Sequence, residues 1–428
     1  MNSTLPSSEM AHITFSIPLD MKTDSSSGTN RAKDIAFILF AVLLLLVRKS
    51  DSLFNPQLWA EDGTVFFAQQ YEHGLASMFT TYAGYLHIVP RLIAFMAETF
   101  FPYALIPAVY NYTALIITII VIAHCFSPRL LLPQKPLLAL FIVLVPQPRN
   151  EVFLNITNIQ WLLCLLLVLT LLKESPDKKY GSYPLQVISD ILIIILAGLS
   201  GPFMVLMLPF FAWKLFNLKN SYGYTMLTLA CCAALVQVFF LMMHNETIQG
   251  GSVFDADAYI SMFARKLFGG LFFGYALKYG NAIGTSIGAL VYFSLLVYIS
   301  YSKSPDDRYC MTRVLLLLGI AAAIVGAAII RYNFSPLILV LSGYRYFYVP
   351  YVLVAWSIIM CLDQRRSWKN IFVFISLVLI LYSSLAFGFR TAMVDHQWKS
   401  HARLIGSQDT VNIPINPYWI MTLTNKKK

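Results

Sequence analysis

Two neighbouring carboxylates, Glu61 and Asp62, open the chemistry of this chain, in the run Trp59-Ala60-Glu61-Asp62-Gly63. Successive residues on a helix point about 100° apart, so the two cannot both face one substrate. One of them could act as a general base while the other orients it or caps a helix that begins at Gly63. A carboxylate beside an apolar surface has its pKa raised by desolvation, which suits a base working near neutral pH. The stretch that follows sets Val65, Phe66, Phe67 and Tyr71 against Gln69, Gln70 and Glu72, a pattern that predicts an interfacial helix.

Further polar constellations punctuate the chain. His87 and Arg91, within Gly84–Arg91, are spaced to share a helix face, with Pro90 disturbing the turn. Arg91 is a candidate for holding a lipid phosphate, or an interfacial arginine meeting any headgroup. Glu151, Asn155 and Asn158 are spaced as one polar stripe on a helix, with Trp161 just beyond. Asparagine offers donors and acceptors together, which suits sugar hydroxyls and helix–helix hydrogen bonds alike. Arg345 lies among aromatics in Gly343-Tyr344-Arg345-Tyr346-Phe347, where a guanidinium could grip a phosphate with two hydrogen bonds. An aromatic belt explains the tyrosines, Tyr344 included, but explains Arg345 poorly. Lys278 is a further cation for an anionic group. Asp255-Ala256-Asp257 has metal-site spacing, yet two carboxylates alone make a weak site. No metal is indicated, and no Ser-His-Asp order, phosphate-cradling glycine loop or histidine cluster stands out.

The elements that must position these residues are membrane spans. Of 428 residues, 58% are hydrophobic and 12% charged, against about 25% charged in soluble domains. Apolar runs recur at 35–47, 104–126, 137–147, 152–172, 184–199, 202–217, 224–243, 284–302, 314–331, 346–362 and 370–388, eleven in all. Segments 86–103 and 262–280 are apolar but interrupted, as spans, interfacial helices or re-entrant pieces would be. Residues 1–33 are polar and serine-rich and predict a disordered cytoplasmic tail, with 34–388 as the membrane domain and 389–428 as a short outer segment. The six cysteines have no ligand spacing and read as small hydrophobes. The net charge of +10 sits in short clusters between apolar runs, which argues against nucleic acid as a partner.

Basic residues decide the topology. If 86–103 and 262–280 do not cross, loops 127–136, 173–183 and 214–223 carry seven Lys and Arg, while 148–151, 200–201 and 244–261 carry only Arg149. The positive-inside rule then places the former in the cytoplasm. Nearly every polar constellation then falls on the outer face, at 59–64, 85–91, 150–161, 200–203, 244–259, 343–347 and 414–419, so the predicted site is built from loops, 48–103 and 244–283 among them, and helix ends on one face.

These residues resemble the GT-C class of membrane glycosyltransferases, with an acidic pair in an early outer loop. The wider set is WAEDG (59–63), GYLHIVPR (84–91), NEVFLNITNIQW (150–161), GLSGPF (198–203), GYRYF (343–347) and IPINPYW (413–419). It is similar to that of bacterial polytopic proteins that include serotype-converting O-antigen glucosyltransferases. The resemblance implies an all-α, GT-C-like bundle in the bacterial inner membrane, with its site on the periplasmic face. It implies a polyprenyl-phosphate sugar, glucose by analogy, as donor and a lipid-linked oligosaccharide as acceptor. Membrane lipids, a small flippase and a polyprenyl-phosphate glucosyl synthase are the expected partners, and no cofactor is expected. Catalysis would fall to Asp62 or Glu61, and phosphate stabilisation to Arg345 with Arg91 or Lys278. The rival readings are a flippase or transporter of lipid-linked saccharides, or an O-antigen polymerase or ligase.

Overall fold

The computed structural model describes residues 27–244, 262–274, 282–302, 309–332, 343–362, 367–388 and 392–425. Lys278 and the Asp255–Asp257 pair lie outside the described residues.

The chain is a mostly helical membrane protein. Helix α1 (Ser27–Arg48) starts inside the segment expected to be tail, and α2 (Ile88–Phe100) occupies the first interrupted segment. The bundle continues as α3 (Ile106–His124), α4 (Lys135–Leu144), α5 (Ile159–Leu172), α6 (Tyr183–Gly198), α7 (Phe203–Asn217) and α8 (Ser221–Met243). It closes with α9 (Ala282–Tyr301), α10 (Cys310–Tyr332), α11 (Arg345–Met360) and α12 (Ser367–Gly388). Among the described residues, five stretches are long and apolar enough to cross a membrane: Tyr103–His124, Ser221–Met243, Ile283–Tyr301, Cys310–Ile330 and Trp368–Ala386. Helices α4, α5, α6, α7 and α11 are shorter apolar helices. Proline enters α3, α4 and α6 in the first turn, where no N–H is needed.

Two short helices form the core. α5 from Ile159 to Leu171 and α11 from Phe347 to Met360 are buried on every side, as expected of helices apolar all round. Tyr348 Oη and Trp356 Nε1, on α11, donate to the carbonyls of Ile142 and Leu138 at 2.8 and 2.9 Å, which ties α11 antiparallel to α4. Outer helices expose apolar side chains instead, such as Leu39, Leu235, Leu290 and Phe374. Such side chains suit lipid.

The polar loops gather at two opposite ends. At one end Asp190 is fully buried and accepts from Arg129 Nη2 and Tyr222 Oη, each at 2.7 Å. Lys214 Nζ there donates to the Leu171 carbonyl at 2.6 Å, near the last turn of α5. These contacts bring the three loops of predicted cytoplasmic charge together. The other end holds the candidate site.

Both ends of α2 are tied to the site end: His87 bridges to Ser200, and the Tyr103 carbonyl accepts from Trp398 Nε1 at 2.8 Å. The whole segment between α1 and α3 therefore returns to where it began.

The C-terminal segment adds an antiparallel hairpin, β1 (Thr410–Ile415) and β2 (Trp419–Thr424), to an otherwise helical fold. It docks on the acidic motif. Ala60 N donates to the Asn416 carbonyl at 2.6 Å, and Gly63 lies so close that an added Cβ would stand 2.7 Å from Ile415 Cδ1.

Candidate functional site

Asp62 begins a short π-helix, Asp62–Phe67, and is fully buried. No side chain caps that helix, which removes the capping alternative. Instead Asp62 Oδ1 accepts from Thr157 N at 2.8 Å and Thr157 Oγ1 at 2.6 Å. Oδ2 has no hydrogen-bond partner among the described residues. Burial pushes the Asp62 carboxyl up to about 6, with the two Thr157 bonds and the charge of Lys49 holding it lower and Glu61 raising it. Desolvation wins because a carboxylate loses more hydration than two donors replace.

Glu61 points elsewhere, as helical geometry requires. Its Oε1 accepts from Tyr82 Oη at 2.7 Å. Burial and the Glu61 charge together push the Tyr82 phenol far above its ordinary value. Arg345 feels the Glu61 charge and donates Nη1 to Glu151 Oε1 at 2.6 Å. Their side chains keep 29% and 20% exposure. Tyr82, Arg345 and Glu151 thus form a partly open rim beside the buried Glu61 and Asp62.

The other expected site residues serve the loops around it. Residues 151–158 are not helical, so Glu151, Asn155 and Asn158 form no helical stripe; α5 starts only at Ile159. Arg149, Asn150 and Leu154 take left-handed φ values of 59°, 50° and 56°, which breaks the periodicity. Asn155 Nδ2 donates to the Glu151 and Phe153 carbonyls at 2.6 and 3.0 Å, and its Oδ1 accepts from Asn158 N at 2.9 Å. Asn158 donates to the Glu151 carbonyl at 3.0 Å and accepts from Trp161 Nε1 at 3.2 Å. Both asparagines are buried, their polar groups spent on the loop rather than presented to a sugar. Trp161 packs edge-on against Phe203 and Tyr346.

Arg91 is fully buried, donating Nη2 to Gln69 Oε1 at 2.5 Å and to the Thr80 carbonyl at 3.1 Å, over the Phe66 ring. It braces the loop and is closed off from any lipid phosphate at the surface. His87 immediately precedes α2 and is buried among Phe66, Tyr82 and Tyr85. Burial and the Arg91 charge lower its imidazole to about 3, so it stays neutral at physiological pH. The apolar side of the 62–73 helices meets protein, Phe67 against Tyr103 and Trp398, rather than lipid. Tyr344 receives the Lys266 ammonium over its ring at 4.3 Å.

Four residues of the site escape sequence patterns. Thr157 lies inside the quoted 150–161 run, but a helical reading of that run turns attention to its neighbours. Lys49 reads as the flank of a span, yet its Nζ donates to the Phe153 carbonyl and lies 5.6 Å from the Trp59 ring. Arg48 beside it donates to Asn150 Oδ1 at 3.0 Å, fixing the same loop. Lys266 belongs to the second interrupted segment, where no spacing marks it. Among the described residues, no three His, Cys, Asp or Glu side chains converge as metal ligands.

The seven constellations of the predicted outer face meet one another here, save for residues 245–259, which lie outside the described residues. The links are 62 with 157, 151 with 345, 87 with 200, 161 with 203 and 346, and 60 with 416. Gly84 also lies against the His244 ring. A cavity of about 470 Å³ opens between α9, α10, α11 and the π-helix Phe263–Gly269, lined by Phe263, Leu267, Leu290, Phe293, Leu318 and Val354 among others. Asp62 is not among its walls. No family model, curated protein or solved structure matches the chain.

Proposed function

We propose that the chain is a GT-C-like glycosyltransferase of the bacterial inner membrane, crossing it eleven times with its site on the periplasmic face. The observation that carries this reading is the division of labour at Asp62. One oxygen is fixed by Thr157, the other lacks a partner among the described residues, and the carboxyl titrates near 6. A fixed carboxylate with a pKa near working pH is what general-base catalysis needs.

In the proposed reaction Asp62 takes the proton of an acceptor hydroxyl, and that oxygen attacks the anomeric carbon of a polyprenyl-phosphate sugar, probed first as the glucose donor. The bond from the anomeric carbon to phosphate oxygen breaks, and the lipid phosphate leaves with the electron pair. Arg345, on the open rim 2.6 Å from Glu151, would exchange that partner for the departing phosphate. Glu61 would order the rim through Tyr82. The apolar cavity beside Lys266 offers room for an isoprenoid chain. Because Asp62 is buried, acceptor binding must shift the side chains that cover Oδ2. The acceptor is proposed to be a lipid-linked O-antigen or a related surface polysaccharide.

Membranes containing the chain, supplied with polyprenyl-phosphate [14C]glucose and lipid-linked acceptor, test the proposal directly. Radiolabel should pass to the acceptor, and Asp62→Asn should stop it. Equal transfer by membranes lacking the chain, or full activity in both Asp62→Asn and Glu61→Gln, would refute it. A transporter would place unpaired charge in mid-bundle. Asp190, a buried carboxylate away from the site, is held by Arg129 and Tyr222 instead.

A further inference from the structure

The end of the bundle remote from Asp62 has a cavity of its own. It measures about 160 Å³ and lies between the end of α5, the last turn of α7 and the start of α10. Lys173, Lys214 and Arg313 line it, with Glu174 as the single carboxylate among the described residues of its wall.

The two lysines define the site. Lys173 is 4% exposed, and its ammonium stands 3.9 Å from Asp190 Oδ1, beyond hydrogen-bond reach. Asp190 gives its other oxygen to Arg129 and Tyr222. Lys214 donates to the carbonyls of Leu171 and Lys173, which uses two of its three N–H groups. Glu174 accepts from Tyr180 and lies 3.8 Å from Lys179. In the sheltered part of this end Asp190 and Glu174, both engaged, therefore face Arg129, Lys173 and Lys214 among the described residues, while the exposed Lys179 also has Asp177 at 4.0 Å. Concentrated cationic charge in a sheltered place is costly unless an anion shares it.

The rest of the wall indicates the kind of anion. Leu131, Leu172 and Leu316 are apolar, while Asn217 adds a polar group. Trp213 and Phe216, in the last turn of α7, are 42% and 63% exposed. Exposed aromatics at a helix end mark the membrane–water boundary, the depth at which lipid phosphates lie. The cavity thus combines cations, an apolar wall and headgroup depth.

We infer that this cavity binds the phosphodiester of an anionic phospholipid from the leaflet at this end, its phosphate oxygens on Lys173 and Lys214 and one acyl chain along the leucine wall. The site is separate from the proposed transferase chemistry and does not depend on it.

Thermal unfolding of the purified full chain in neutral detergent tests this. Dioleoylphosphatidylglycerol should raise Tm by about 4 °C at saturation. Dioleoylphosphatidylcholine and inorganic phosphate should each give less than a quarter of that shift. Lys173→Gln should abolish the response. Lys179→Gln, whose side chain is 43% exposed outside the cavity, should keep it. An equal response to phosphatidylcholine, an equal response to inorganic phosphate, or a full response in Lys173→Gln overturns the inference. If Lys173→Gln does not fold, native mass spectrometry of the wild-type chain decides. Retention of phosphatidylglycerol over phosphatidylcholine supports the site, and equal retention refutes it.

Discussion

Thr157 holds one oxygen of Asp62 with both its backbone N–H and its hydroxyl, from 95 residues further along the chain. A threonine placed this way does two things at once. It fixes the direction of the carboxylate, and it limits how far burial can raise the carboxyl pKa. Both effects lie within reach of conservative substitution.

Asp62→Asn keeps an oxygen for Thr157 to donate to but can no longer take a proton. Transfer should fall by about 10²–10⁴-fold. The amount of folded protein in the membrane, measured by gel filtration in detergent, should stay near wild type. Loss of folded protein in step with activity would mean that Asp62 is structural.

The pH dependence follows from the carboxyl near 6. Only the ionised form accepts a proton, so the rate should rise about tenfold per pH unit below about 6 and level off above it. Thr157→Val removes the hydroxyl bond, one of the influences that lower this value, so the rising limb should move to higher pH. Stability has the opposite sign. A carboxyl raised from its unfolded value of 3.8 favours the fold below that pH, and the advantage is lost as pH rises through about 6. A pH–rate profile that does not move in Thr157→Val would separate Asp62 from the rate-determining proton transfer.

Arg345 and Glu151 should divide activity from stability. The pair is partly exposed, so its contribution to the fold is about 1 kcal/mol or less. Arg345→Gln should therefore leave Tm nearly unchanged while reducing transfer by more than about 30-fold, on the scale of losing one electrostatic stabiliser. Parallel measurements of Tm and initial rate check the division.

Asp190→Asn should do the reverse. Arg129 and Lys173 would be left with buried, uncompensated charge, a loss of about 3–5 kcal/mol. Melting temperature should drop sharply, while the rate per folded molecule stays level, because Asp190 lies at the far end from Asp62.

Much of this was legible in the residues themselves. Each of the eleven apolar runs holds a helix, because long apolar stretches leave the backbone few other ways to bury its polar groups. The gathering of polar clusters at one end followed from where Lys and Arg sit, and the contacts 62–157, 151–345 and 87–200 agree with it. The 150–158 run was not legible. Left-handed backbone at Arg149, Asn150 and Leu154 has no glycine to announce it, and the spacing of Glu151, Asn155 and Asn158 imitates a helix. The role of Thr157 rests on a contact across the fold, which spacing cannot reveal. The hairpin left a trace in the alternate burial of Val411, Ile413 and Ile415, but that trace is short beside the hydropathy of the spans.

Gly63 provides a test of the hairpin. Gly63→Ala would place a methyl against Ile415 Cδ1 and, at 3.2 Å, the Met421 sulfur. Transfer should fall several-fold. Ile415→Val removes the nearer atom, so the double variant should recover most of the activity. Absence of rescue would show that the hairpin's fit to the acidic motif is irrelevant to the site.

The docking of β1 and β2 on residues 60–63 also sets a schedule for biogenesis. The acidic motif leaves the ribosome early, but its hairpin clamp follows every described helix. Throughout translation the nascent chain would carry Glu61 and Asp62 into the membrane with one wall of their enclosure missing. Competence would then arrive in a single late step, when the hairpin reaches the same side and closes on Gly63. A ribosome stalled shortly before Thr410 would yield an inserted but silent protein, and a bulky fusion placed directly after the hairpin would obstruct that closure.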